Sequence, residues 1–318
     1  MMQRVSLSGT DLSVSSLCLG NSVFGTGTSA DIQDQFYSTF RATGGDCFDT
    51  AHCYCFWLDG GAGSSERELG ECIRRHGDTG KVRVMTKGGH PDAGPKYPRP
   101  DGYLSPEVIS SDIADSLGWL KMDAIDVYFL HRDDARVPVA EVIDCLNEHL
   151  RAGRLRALGC SNWSTRRVIE ANEYAAKNGL AGFSISQPQF NLGHPNAPVP
   201  TSDPAMRYLT DADISWHEST GLPVACYSST AGGYFASGGK RSSHAYDNPT
   251  SRDRLARATQ LSQQMNVSIN QIVIAYLLNQ RFPVIPILGT SSLEHLKDAI
   301  GASGIKLTVD QVKWLRAG

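Results

Sequence analysis

Three short apolar runs in this chain each stop at an ionisable side chain. Phe48-Asp49-Thr50-Ala51 stops at a carboxylate, with Tyr54 following in the loop. Val82-Arg83-Val84-Met85-Thr86-Lys87 alternates as a strand does and stops at an ammonium, and Ile125-Asp126-Val127-Tyr128-Phe129-Leu130-His131 stops at an imidazole. A polar group that closes such a run sits at a strand C-terminus. Parallel strands present those ends on one rim, where α/β folds place their active sites. Asp49, Tyr54, Lys87 and His131 are therefore expected to share one pocket. Taken singly, a buried Asp-Lys pair reads as a scaffold ion pair and a strand-end histidine as a satisfied hydrogen-bonder. The functional reading rests on the four occurring together.

The remaining chain alternates in the same way. Val5-Ser6-Leu7 and Val14 to Leu19 read as a hairpin turning at Ser8-Gly9-Thr10-Asp11, its second half running into the first barrel strand. Helical spacing follows over Ala30 to Thr43, Ser65 to His76, Pro106 to Leu120, Val139 to Ala152, Thr165 to Asn178 and Val267 to Arg281. Further strands are expected at Leu155 to Gly159, Phe183 to Gln187, Pro223 to Ser228 and Pro283 to Leu288. The strand count reaches about eight, at which a parallel sheet closes. A (β/α)8 TIM barrel with an N-terminal β-hairpin follows, as one domain over 1–318, since such barrels commonly exceed ~250 residues. Gly88 to Ser105, Gly193 to Trp216 and Gly232 to Ser251 break the pattern. Long polar loops on the catalytic rim read as lids.

Composition narrows the function classes. A 41% hydrophobic, 20% charged chain with net charge −3 carries no basic footprint for nucleic acid. The N-terminus lacks the apolar core of a signal peptide, and no segment approaches the ~20 apolar residues that span a bilayer, so no membrane partner and a cytoplasmic location are expected. Eight scattered cysteines read as reduced thiols. His52, Cys53 and Cys55 match no standard zinc spacing and have no second pair, so no metal is expected. Gly60-Gly61-Ala62-Gly63 and Gly25-Thr26-Gly27 fit neither a P-loop nor a dinucleotide fingerprint and read as loops.

Phe-Asp-Thr-Ala-x-x-Tyr at Phe48 to Tyr54, Thr86-Lys87-Gly88 and Leu130-His131 resemble the tetrad segments of the aldo-keto reductase family. Gly159-Cys160-Ser161-Asn162, Gln187-Pro188-Gln189-Phe190-Asn191, Cys226-Tyr227-Ser228 and Pro286 to Ser291 extend the resemblance over essentially the whole chain. It implies NAD(P)(H)-dependent interconversion of a carbonyl and an alcohol, with Tyr54 as general acid, Lys87 its modulator, Asp49 the orienter and His131 a second contact to the carbonyl oxygen. A cation beside a phenol lowers its pKa, so Lys87 is expected to bring Tyr54 below its ordinary value. Asn162 and Gln187, with Ser161 beside them, match positions that hold the nicotinamide amide, and Tyr227 matches the aromatic stacked on its ring. Ser228, Gly289, Thr290 and Ser291 match segments contacting the pyrophosphate and ribose. His295 stands where many members place an arginine against the 2'-phosphate. NADP is the expected cofactor, with NAD left open.

The chain ends at Gly318 without the long C-terminal loop of some members, so the three lid segments are expected to define the substrate. Trp57, Trp163, Arg132, Asp133 and the charged lid residues suggest a sugar-like or similarly polar small-molecule carbonyl. A cofactor-binding regulatory or scaffold protein of the same fold is the alternative. A Lys87 Schiff-base enzyme is disfavoured, because Asp49 would keep the lysine protonated.

Overall fold

Period-2 alternation decides which side chains enter the barrel and which face its helices. A computed structural model describes residues 2–22, 24–25, 28–197 and 205–317. β1 (Arg4–Ser6) and β2 (Ser13–Ser15) form the antiparallel hairpin, with Val5 opposite Val14. β3 (Cys18–Gly20), β4 (Cys47–Asp49), β5 (Arg83–Gly88), β6 (Val127–Leu130), β7 (Leu158–Ser161), β8 (Phe183–Gln187), β9 (Val224–Cys226) and β10 (Val284–Leu288) follow. They are parallel and close in sequence order, β10 pairing back onto β3.

Cys47, Met85, Val127, Phe129, Ile185 and Ala225 pack together inside. Their neighbours Phe48, Val84, Tyr128 and Leu130 pack outward beneath the helices. Leu7, Leu12 and Val14 of the hairpin join the inner cluster, so the hairpin closes the N-terminal mouth. Two residues beyond Cys47, Met85, Phe129 and Ile185 come Asp49, Lys87, His131 and Gln187. The parity that fills the barrel with apolar groups thus carries four polar ones to its open end.

The surrounding helices are α1 (Ala30–Ala42), α2 (Ser64–Arg75), α3 (Pro106–Leu120), α4 (Val139–Arg151), α5 (Thr165–Lys177) and α6 (Asp211–Thr220). α7 (Ser243–Tyr246), α8 (Pro249–Met265), α9 (Ile269–Leu278), α10 (Leu293–Gly301) and α11 (Val309–Arg316) complete the set. No described helix is long and apolar enough to cross a membrane.

The segments expected to be irregular are partly helical. α6 begins within Gly193 to Trp216, and it starts with a capping box, Thr210 bonding the Asp213 backbone and Asp213 bonding back. Residues 198–204 of that segment, and Thr26 and Gly27 of the glycine string, fall outside the described residues. α7 and the start of α8 lie within Gly232 to Ser251; Asn248 caps α8 ahead of Pro249, the order in which a helix start is written. The Gly88 to Ser105 loop is braced: Arg99 bonds both oxygens of Asp112 on α3 at 2.6 and 2.7 Å, and Tyr97 bonds His52 at 2.8 Å.

Two helical glycines separate propensity from packing. A Cβ at Gly70 on α2 would lie 2.5 Å from the Leu120 carbonyl oxygen and 2.9 Å from its carbon. Alanine is favoured over glycine in a helix by about 1 kcal/mol, but overpacking costs about 1–3 kcal/mol, and Leu120 backbone cannot rotate aside. Gly70→Ala is expected to lower stability. A Cβ at Gly118 on α3 would meet nothing within 4 Å, so Gly118→Ala is expected to raise stability by up to about 1 kcal/mol. Urea unfolding midpoints of the two variants check the pair; a shift in the same direction for both would contradict the packing argument.

Candidate active site

Lys87 is the centre of the rim. Its ammonium, 1% exposed, donates to Asp49 Oδ2 at 2.8 Å, to the Thr50 carbonyl at 2.6 Å and to the Tyr54 hydroxyl at 3.1 Å. These three bonds use all its protons. It also lies 4.6 Å from the Tyr54 ring centre. Burial works against the Lys87 charge, but Asp49 and Tyr54 outweigh it and hold the group protonated above the ordinary lysine range. A lysine so held is no Schiff-base nucleophile. Tyr54 is carried by a tight turn, its amide bonding the Ala51 carbonyl at 3.0 Å.

Tyr54 departs from expectation. Burial drives its pKa up to about 12, and the pull of Lys87 only partly offsets this. The cation lowers the value as expected, but removing a phenolate from water costs more than one ammonium returns. His131 faces Tyr54 edge-on, ring centres 6.0 Å apart. Burial first, then the Arg132, His90 and Lys87 charges, push its pKa well below the usual imidazole value, so the ring is neutral. Its other edge meets Cys53, with Sγ 3.4 Å from Nδ1.

A cleft of about 420 Å³ opens over these groups, and its walls include Asp49, Tyr54, His131, Ser161, Asn162 and Gln187. Tyr227, Ser228 and Gly289 line it too. Ser161 Oγ donates to the Gln187 carbonyl at 2.8 Å. Asn162 adopts φ +61°, a left-handed conformation that asparagine tolerates better than most residues. Its Oδ1 accepts from the Tyr227 hydroxyl at 2.7 Å, which sets the tyrosine ring against the cleft. Gln187 Nε2 donates to Asp49 Oδ1 at 2.8 Å, tying the amide wall to the ion pair. Thr290, Ser291 and His295 are not among the lining residues. They continue from Gly289 into the first turn of α10, where Ser292 caps the helix and His295 is exposed.

The donor set fits a nicotinamide group: side-chain amides of Asn162 and Gln187, the Ser161 hydroxyl and an aromatic face. Past Tyr227 the chain turns through positive φ at Ser228, Ala231, Gly232 and Gly233, and Ser228, Ser229, Thr230 and Gly232 line the cleft.

Several residues lie apart from their expected positions. Trp163 is buried, donates to the Arg132 carbonyl at 3.2 Å and packs edge-on against Phe183. Asp133 is paired with Arg167 at 3.3 Å, and Trp57 is exposed and does not line the cleft. Arg132 does line it. Met206, for which the sequence offers no role, and His90, expected as one of the polar lid residues, also come close: Met206 lines the cleft and the His90 ring lies 4.9 Å from that of His131. His90, three residues past Lys87 on the rim, carried a positional signal; Met206, in an irregular stretch, carried none. Among the described residues the soft donors group as Cys53, His90 and His131, within 4.8 Å of one another, while His52 is turned to Tyr97 and Asp115.

Residues 16–317 match the sequence model of the Aldo/keto reductase family. A norsolorinic acid reductase of Aspergillus flavus is 27% identical, the alignment covering 98% of this chain and 79% of that protein. An aryl-alcohol dehydrogenase of Pestalotiopsis microspora is also 27% identical, over 96% and 79%. An uncharacterized oxidoreductase of Bacillus subtilis, YrpG, is 27% identical over 99% and 95%. A thermostable aldo-keto reductase, Tm1743, solved in complex with the inhibitor epalrestat, superposes with a TM-score of 0.74 at 20% identity, covering 99% of both chains, and shares the fold. A family match that runs from the first barrel strand to the last helix, on a closed barrel of the same kind, places the chain in the aldo/keto reductase family and makes it an NAD(P)H-dependent reductase.

Proposed function

We propose that the protein interconverts a carbonyl and an alcohol with Tyr54 as general acid and base, Lys87 and Asp49 setting its charge environment and His131 contacting the reacting oxygen. The 1–318 chain is read as one domain carrying this one site. The observation that supports the reading most is the 3.1 Å contact between Lys87 Nζ and the Tyr54 hydroxyl, with Asp49 2.8 Å behind the ammonium.

A bound reduced nicotinamide supplies the hydride that the protein cannot. The chain supplies the proton. A phenol whose pKa lies near 12 is protonated at neutral pH, so Tyr54 enters the reaction as a donor. An oxygen becoming an alkoxide is a much stronger base than a phenolate, and it takes that proton. Lys87 then stabilises the phenolate left behind, without reorganisation, because its bonds are already made. Asp49 holds the ammonium in place, and neutral His131 donates to the same oxygen and polarises the carbonyl. Ser161, Asn162 and Gln187 would hold the nicotinamide amide and Tyr227 its ring. Ser228 and Gly289 would take the pyrophosphate, with Thr290, Ser291 and His295 toward the ribose.

The substrate reading shifts with the geometry. Trp163 and Asp133 are engaged in the scaffold, which removes much of the case for a sugar-like ligand. Tyr54, Tyr227 and Met206 give the cleft flat and apolar faces. A relative named for an aryl alcohol agrees with an aromatic carbonyl, which we favour.

Tyr54→Phe keeps the ring and removes the proton. Turnover is expected to fall by about 10²–10⁴, the range for general acid catalysis, with NADPH binding unchanged by fluorescence titration; near wild-type turnover would discard the assignment. NADPH is expected to bind more tightly than NADH, because His295, Lys297 and nearby hydroxyls can receive a phosphate. Equal affinity for the two cofactors would show that no phosphate site is formed. Aromatic aldehydes are expected to exceed polyhydroxylated aldehydes of similar size in kcat/KM; a consistent advantage for the hydroxylated set would restore the polar reading.

A further inference from the structure

The imidazole of His131 can serve a carbonyl oxygen only in one of its two neutral forms. Its pKa lies well below the ordinary value, so the resting ring carries one N–H. If that hydrogen is on Nε2, the ring donates toward the cleft it lines. If it is on Nδ1, a bare Nε2 lone pair meets the lone pairs of the carbonyl oxygen and repels them. Something must choose between the two.

Among the described residues the hydrogen-bond partner of the Nδ1 edge is the Cys53 thiol, at 3.4 Å. Cys53 is 3% exposed and His131 7%, so water competes little at this contact. Cys53 lies directly before Tyr54, and the turn that delivers the phenol therefore also delivers the sulfur. Burial raises the thiol's pKa to about 12 against the pull of Lys87 and Arg132, which keeps the hydrogen on sulfur. Among the described residues Nε2 has no hydrogen-bond partner. We propose that Cys53 is a positioning residue: its thiol donates to His131 Nδ1 and holds the imidazole in the tautomer whose Nε2–H faces the cleft.

The same atoms do not favour a metal ion. Cys53, His90 and His131 offer three soft donors within 4.8 Å. A dication there would lie beside the Lys87 and Arg132 charges that already bear on both Cys53 and His131. It would also require ionising a buried thiol. Hydrogen bonding between neutral groups meets neither obstacle.

The proposal rests on the carbonyl-facing role given to His131, and its test is chosen to stand apart from turnover. In protein labelled with ¹⁵N-histidine, long-range proton–nitrogen spectra distinguish the two tautomers, and His131→Gln identifies the signal among nine histidines. The wild type is expected to show the Nε2–H form. Cys53→Ala is expected to show a mixture, with a higher imidazole pKa, because a hydrogen bond to the neutral form has been lost. The groups facing His131 are Lys87, Arg132, His90, His52 and Tyr54, all present in both proteins, so the difference reports Cys53 alone. Carbonyl reduction by Cys53→Ala is expected to lose roughly tenfold in kcat/KM, the effect of about one hydrogen bond, with NADPH binding unchanged. Cys53→Ser, which keeps a donor with a shorter reach, is expected to fall between the two and provides the readout if the alanine variant does not fold. An Nδ1–H form in the wild type, or identical tautomer and titration in Cys53→Ala, overturns the proposal. Full turnover by Tyr54→Phe would overturn the carbonyl reading while leaving the tautomer result intact, so the two failures are separable.

Discussion

A buried ammonium is the constraint on which this molecule turns. Lys87 reaches the top of the barrel interior with almost no access to water. Leaving one such charge without its partner costs about 3–5 kcal/mol, a large share of the 5–15 kcal/mol by which domains are stable. The fold answers with a carboxylate, a backbone carbonyl and a phenol. Two of these acceptors, Asp49 and Thr50, are consecutive at the end of β4, next to β5 in the barrel. The strand pairing that closes the barrel therefore also satisfies the charge.

The ion pair is wired to both halves of the cleft. On one side Lys87 touches Tyr54, whose turn brings Cys53 to His131. On the other, Asp49 accepts from Gln187, which lies 138 positions away in sequence. Gln187 in turn lends its carbonyl to Ser161, whose neighbour Asn162 holds the Tyr227 hydroxyl. The proton-handling groups and the proposed cofactor wall are thus one hydrogen-bonded assembly, built from the ends of six strands. Displacing one member would disturb the others, and conservative changes here should be read with that coupling in mind.

Burial also sets the protonation states, in a direction that proximity alone would not suggest. The ammonium beside Tyr54 would lower its pKa in water, yet the phenol ends higher than its ordinary value because desolvation is the larger effect. His131 is neutral for the same reason. Both outcomes suit donation: a phenol that holds its proton until the oxygen demands it, and an imidazole with one hydrogen to direct.

The strand parity of Asp49, Lys87 and His131, the turn to Tyr54, and the alternation of strands and helices are local properties, and the sequence by itself determined the barrel, the hairpin and the gathering of the tetrad. Phe183 to Gln187 and Pro106 to Leu120 have the bounds that periodicity predicts. α8 was missed because its apolar positions are few, although Asn248 and Pro249 mark its start; α6 was missed although Thr210 and Asp213 do the same. Only the tertiary structure decided that Trp163 and Asp133 turn into the scaffold, that Cys53 and His90 approach His131, and that Gln187 bonds Asp49. Those pairings join residues from separate βα units, and their geometry is set by barrel closure and loop packing rather than by the residues beside them in the chain. The sign of the Tyr54 shift belongs with them, since desolvation depends on everything that surrounds the phenol and no neighbouring residue type encodes it.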